Sequence, residues 1–217
     1  MSTRISDAAA TALGQARPDG FSLPEDAVPG PTAEERLERN MARWRLDGVA
    51  CGLRSSGVPG AYRTAECELG ARVAEMAVRR ESAYLYGDCG AGKTHAACCA
   101  VRLWLEETWP SRALFGTARS LLEKIKGDGW TVDVLKVPGL LVIDDLGAQR
   151  DTDWAVEQLE EAIDWRVANA RPTIVTSNLR VGELAARIGG TQGRRMASRL
   201  ATFERIQVTG PDRRIAS

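Results

Sequence analysis

The stretch YGDCGAGKTHAA, Tyr86–Ala97, decides how the rest of the chain is read. Within it, Gly87-Asp88-Cys89-Gly90-Ala91-Gly92-Lys93-Thr94 fits G-x-x-x-x-G-K-[ST] at each fixed position. Glycines let successive backbone N–H groups turn inward around phosphate oxygens with no Cβ in the way. The lysine then reaches the β- and γ-phosphates, and the hydroxyl after it can ligate Mg²⁺. A helix starting near Lys93 would aim its positive end at the same anion. SAYLY (82–86) ahead of the loop reads as a strand and KTHAACCAVRLWLEETW (93–109) behind it as a helix. A chance Gly-rich turn requires neither flank, so the loop is read as a nucleotide site running from Gly87 to His95, with Mg²⁺ at the Thr94 hydroxyl. His95, the one histidine, is expected to pack in the first turn of the helix, and Cys89 puts a thiol in the loop.

Residue usage sharpens this reading. Of 29 basic residues only Lys93, Lys124, Lys126 and Lys136 are lysines. A chain that uses arginine almost everywhere, yet keeps lysine at 93, marks a position needing a compact ammonium rather than a planar fork.

The bounds on the chain are simple. Its 217 residues suit one domain with a small extra element, and 44% hydrophobic residues can supply a sizeable core. No apolar run approaches the roughly 20 residues of a membrane span, and the N-terminus lacks the apolar region of a signal peptide. Cys51, Cys67, Cys89, Cys98 and Cys99 form no C-x-x-C pair and no zinc spacing, as reduced thiols in the cytoplasm would not. The expected localisation is cytoplasmic. The net charge of zero gives no global argument for nucleic acid. Locally, residues 1–40 carry four Arg against seven acids, and residues 186–217 carry seven Arg against Glu204 and Asp212.

Residues 1–31 lack periodicity and read as a tail. Thr32 and Glu35 form a capping box before a helix predicted over 33–47, with Leu37, Met41 and Trp44 on one face. SSGVPG (55–60) breaks the chain, and a second helix is predicted over 65–80. Strands and helices then alternate. RALFG (112–116), GLLVID (139–144), PTIVTSN (172–178) and ERIQVTG (204–210) read as strands. ARSLLEKIK (118–126), DWAVEQLEEAIDWRVANA (153–170) and short segments over 182–188 and 194–202 read as helices. This predicts an α/β domain with a mainly parallel sheet.

Three further places carry chemistry. Fifty-one residues beyond Lys93, LLVIDD ends in Asp144 and Asp145. Asp144 suits the metal, together with Thr94, and Asp145 suits the general base that polarises an attacking water. Thirty-four residues further, TIVTSN ends in Asn178, whose amide could orient that water, although Thr-Ser-Asn is also ordinary turn chemistry. In GRRMASRL (193–200), Arg195 and Arg199 share a helix face, and either could act as a positive finger towards a neighbouring subunit's γ-phosphate.

Taken together, SGVPGAYR, GDCGAGKTHAA, LLVIDDLG, RPTIVTSNL, RRMASRL and GPDRR resemble the AAA+ ATPases of the DnaC/DnaI helicase-loader and IstB transposition-helper group. The resemblance covers about residues 55–217, and IDDLG with TSNL and SRL is its specific part. It implies a P-loop NTPase (AAA+/ASCE) fold with a parallel sheet in the order 5-1-4-3-2, flanked by helices, with the lid domain absent or minimal. It implies Asn178 as sensor 1, Arg199 as the arginine finger and Arg195 as a second candidate. It also implies assembly into rings, spirals or filaments on DNA, single-stranded DNA being the expected form. Arg119, Lys124, Lys126 and the basic C-terminal segment are the expected DNA contacts, and Arg213 or Arg214 could serve as sensor 2. The domain reading is a tail (1–31), a helical extension (32–66) and the ATPase domain (67–217). The expected function is ATP-dependent loading or remodelling of a replicative hexameric helicase, contacted through the 33–47 helix. The alternatives are an IstB-like helper on duplex DNA and a module that binds ATP and occupies a host helicase.

Overall fold

The computed structural model describes residues 32–127, 129–148 and 152–210. The expectations for residues 1–31, for Arg213 and Arg214 and for most of GPDRR fall outside these. The chain divides into two compact units, residues 1–40 and 41–217. Of the first, the described part is the start of helix α1 (Ala33–Ser55). The capping box is there: Thr32 N donates to Glu35 Oε2 at 2.6 Å, and Glu35 N donates to Thr32 Oγ1 at 3.2 Å.

α1 runs to Ser55, well past the predicted end at 47, through Gly48 and Gly52. Glycine inside a helix costs about 1 kcal/mol relative to alanine. Here the cost is offset by packing, because Val49 and Leu53 are buried and the Trp109 ring lies where a Cβ of Gly48 would stand. Met41, Trp44 and Leu46, by contrast, are exposed.

A short 3₁₀ turn (Gly60–Tyr62) leads to α2 (Glu68–Val78), capped by Cys67 Sγ accepting from Gly70 N. Then follow β1 (Ala83–Tyr86), α3 (Lys93–Thr108), β2 (Ala113–Thr117), α4 (Ala118–Gly127), α5 (Asp133–Lys136) and β3 (Leu140–Asp144). After them come α6 (Asp153–Ala168), β4 (Thr173–Ser177), α7 (Val181–Ile188), α8 (Gly190–Leu200) and β5 (Glu204–Gln207). The pattern predicted all of these except α5, and α8 starts four residues earlier than predicted. α5 is a single turn, too short for periodicity to register.

All five strands are parallel, in the order β2-β3-β4-β1-β5, which is the expected 5-1-4-3-2 read from the other edge. β3 and β4 are buried along their whole lengths, as an apolar run in a doubly covered sheet must be. Their side chains alternate between two cores. Leu140, Val142 and Ile174 join the core under α1, α2 and α3, while Leu141, Ile143 and Val175 join the core under α4, α6 and α8. Arg166 of α6 is fully buried and locks the opposite pole of the sheet. It donates to Thr173 Oγ1 and to the carbonyls of Leu135, Lys136, Pro138 and Pro172, at 2.7–3.1 Å. Among the described residues no helix is long and apolar enough to cross a membrane.

Candidate functional site

β1 ends at Tyr86, and the Gly-rich loop turns at once. Gly87 takes φ 148°, and a Cβ there would run into the Val208 carbonyl, so the position excludes a side chain. Gly92, at φ 100°, sets the left-handed entry to α3. Lys93, the first residue of α3, folds back over the loop, and its Nζ donates to the carbonyls of Gly87 and Asp88 at 2.7 Å each. Only 6% of Lys93 is exposed, and burial lowers its pKa. Nearby Cys89 and the carboxylates of Asp145, Asp144 and Asp88 oppose that shift. Asp88 also accepts at its carbonyl from the N–H of buried Ala91.

The acid pair stands at the tip of β3. Asp144 is buried, and burial raises its pKa against the hydrogen bonds of Thr176 and Thr94. Thr94 Oγ1 lies 2.9 Å from its Oδ1 and 3.2 Å from its Oδ2, and Thr176 Oγ1 donates to Oδ1 at 2.6 Å. Asp145 leaves the strand at φ 57°, its N–H held by Thr176 Oγ1 at 2.9 Å. Asn178 Nδ2 lies 3.5 Å from Asp145 Oδ1.

These groups line one cleft of about 560 Å³, which also takes in Gly90, Cys89 and His95. Its remaining wall is Pro59 and Tyr62, from the SGVPGAYR segment, with Phe115 and Thr117, to none of which the sequence reading gave a role. His95 packs edge-on to Tyr62 with ring centroids 6.2 Å apart, and its Nδ1 is buried without a hydrogen-bond partner. The residue that sequence reasoning missed is Thr176. The signal was available, since a strand places residues i and i+2 on one side, and Thr176 is two before Asn178.

Arg195 and Arg199 are not in this cleft. They project from α8 towards α6, where Arg199 Nε pairs with Asp164 and Arg195 lies 4.0 Å from Glu160. Arg119, Lys124 and Lys126 are exposed on α4, Arg119 bound to Glu123 and Lys124 standing over the Trp130 ring.

The donor set fits Mg²⁺. Thr94 and Asp144 offer hard oxygen ligands side by side, and among the described residues no cluster of three His, Cys, Asp or Glu could hold a metal unaided. One or two protein oxygens beside substrate phosphates is the arrangement that Mg²⁺ takes.

A raised folded-state pKa means that the Asp144 charge costs stability at neutral pH, and the cost lessens as pH falls and the carboxyl takes up its proton. Asp144→Asn keeps an acceptor for Thr176 and deletes the charge. The variant should therefore melt higher than wild type by a few degrees. Differential scanning calorimetry checks this, and an unchanged or lower Tm contradicts it.

No family model matches the chain. It is similar to the phage-like element PBSX protein XkdC of Bacillus subtilis strain 168, 28% identical over 112 residues, or 48% of this chain and 42% of that protein. It is also similar to the uncharacterized protein YqaM of the same strain, 26% identical over 117 residues, or 49% and 36%. The chain thus spans less than half the length of these relatives. Among solved structures, DnaI superposes with a TM-score of 0.57 at 24% identity, covering 66% of this chain and 81% of that one. The DnaC helicase loader gives 0.55 at 22%, covering 70% and 100%, and DnaA bound to AMPPCP and single-stranded DNA gives 0.56 at 16%, covering 71% and 52%. At these identities the likeness is one of architecture: the chain shares the fold of DnaI and of the DnaC helicase loader, here a five-stranded parallel sheet flanked by helices.

Proposed function

We propose that the chain is an ATP-hydrolysing replication protein of the helicase-loader type. The observation that carries this reading is the convergence of Lys93, Thr94, Asp144, Asp145 and Asn178 on one cleft at the C-terminal ends of β1, β3 and β4. ATP lies with its phosphates in the Gly87–Thr94 loop, where the Lys93 ammonium and the N-terminus of α3 offset their charge. Thr94 and Asp144 would hold Mg²⁺, which would neutralise phosphate charge there. Asp145, turned out of the strand, takes the proton of the attacking water, and Asn178 beside it orients that water.

Arg199 completes the site from a neighbouring copy, with Arg195 as the second candidate. On its own chain Arg199 stands on α8, half-exposed and not among the residues lining the cleft, which supports a reach to another subunit's γ-phosphate. The assembly is a ring, spiral or filament on DNA, with Arg119, Lys124 and Lys126 facing the strand. The protein partner is a replicative hexameric helicase. The likeness to a phage-like element protein over about half the chain favours one second reading, a module that binds ATP without turnover and occupies a host helicase.

Two experiments test this. ATP turnover per chain should rise with protein concentration, increase with single-stranded DNA, and fall roughly 10³-fold in Arg199→Ala while ATP binding persists. Turnover that is flat with concentration and indifferent to Arg199 rules out a shared site, and absent turnover in the assembled state selects the second reading. Separately, the exposed Met41 and Trp44 face of α1 should carry the helicase contact. Trp44→Ala should lose the helicase in pull-down, and retention equal to wild type removes that contact.

A further inference from the structure

We propose that Thr176 is the positioning residue that sets both acids of the cleft, an assignment that rests on the ATPase reading above. Only 1% of Thr176 is exposed, and its hydroxyl makes two bonds whose directions are fixed. The Asp145 N–H can only donate, so Thr176 Oγ1 accepts it at 2.9 Å. The hydroxyl's single hydrogen then goes to Asp144 Oδ1, at 2.6 Å. One buried oxygen therefore links the side chain of the first acid to the backbone of the second.

Two consequences follow for the site. Asp144 Oδ1 is engaged by Thr176 and, at 2.9 Å, by Thr94, whereas Oδ2 has only the longer 3.2 Å approach of Thr94. Thr176 thus selects which carboxylate oxygen is left for a cation. It also satisfies the Asp145 N–H at the point where the chain turns to φ 57°, which aims the Asp145 carboxylate towards Asn178.

The neighbours of Thr176 extend the same device. Leu146 N donates to the Thr176 carbonyl at 2.8 Å, Ser177 Oγ donates to the Leu146 carbonyl at 2.6 Å, and Asn178 reaches Asp145. Residues 176–178 between them hold residues 144–146, just beyond the last register pair, Ile143 with Val175. A shift of β4 along β3 is carried into both carboxylates, and Thr176 is the member that touches both acids. Valine fills the same space and favours a strand, so it removes the hydroxyl and little else. It leaves the Asp145 N–H without an acceptor and Asp144 without its shortest donor.

The test compares wild type, Thr176→Val, Thr176→Ala and Thr176→Ser. Affinity for a fluorescent ATP analogue is measured with and without Mg²⁺, beside turnover and thermal melting. Thr176→Val and Thr176→Ala should bind the analogue without Mg²⁺ as wild type does. Both should lose roughly 10- to 100-fold of the gain in affinity that Mg²⁺ brings, and turnover should fall by a similar factor. Thr176→Ser, which restores the hydroxyl, should stay close to wild type. Folded Val or Ala variants with the wild-type Mg²⁺ response overturn the assignment, as does a Ser variant that fails as badly as Val. A wild-type protein whose affinity for the analogue ignores Mg²⁺ overturns the ATPase reading itself, and the assignment falls with it.

Discussion

Asp144 carries its carboxylate to a place where only 5% of the residue meets solvent, at the tip of a strand buried on both faces. A charge there is unfavourable unless donors and a cation answer it. The fold answers with two hydroxyls, Thr94 from the helix after the loop and Thr176 from the neighbouring strand. The sheet order makes this possible, because β4 lies between β1 and β3 and brings its own tip beside both the loop and the acid pair. Lys93 meets the complementary constraint. Its ammonium is buried against two loop carbonyls, close to acids of opposite charge. The cleft thus gathers a desolvated cation and a desolvated anion among its lining residues.

Much of the architecture was legible because its determinants are local. GLLVID and PTIVTSN are uninterrupted apolar runs between turn residues, and such runs become central strands of a parallel sheet. The Gly-rich loop was legible through its flanks, a strand before and a helix after. The strand order was not local information, and it came from the resemblance alone. The helix predicted over 33–47 stopped short at Gly48, whereas α1 continues to Ser55, the first residue of the SSGVPG break. The indole of Trp109, distant in sequence, makes glycine the residue that fits.

The site divides in the same way. Lys93, Thr94, Asp144, Asp145 and Asn178 were marked by motif, and they meet in one cleft. Thr176 was passed over because a threonine in a strand is ordinary, although its place two residues before Asn178 was the available signal for its bonds to Asp144 and Asp145. Arginine usage has one notable exception. Most arginines here are surface charges, yet Arg166 is fully buried, its fork spread over four backbone carbonyls and a threonine. That planar geometry is what lysine lacks, so the contrast between Arg166 and Lys93 extends to both poles of the sheet.

The central claim is that the loop from Gly87 to Thr94 cradles a nucleotide's phosphates through Lys93. Equilibrium titration of a fluorescent ATP analogue into wild type and Lys93→Ala, at fixed Mg²⁺, tests it most directly. The account predicts saturable binding by wild type and affinity weaker by roughly 10- to 100-fold in the variant, the worth of a charge-assisted hydrogen bond lost from a buried site. Equal affinity in the two proteins, or no binding by wild type, would contradict it.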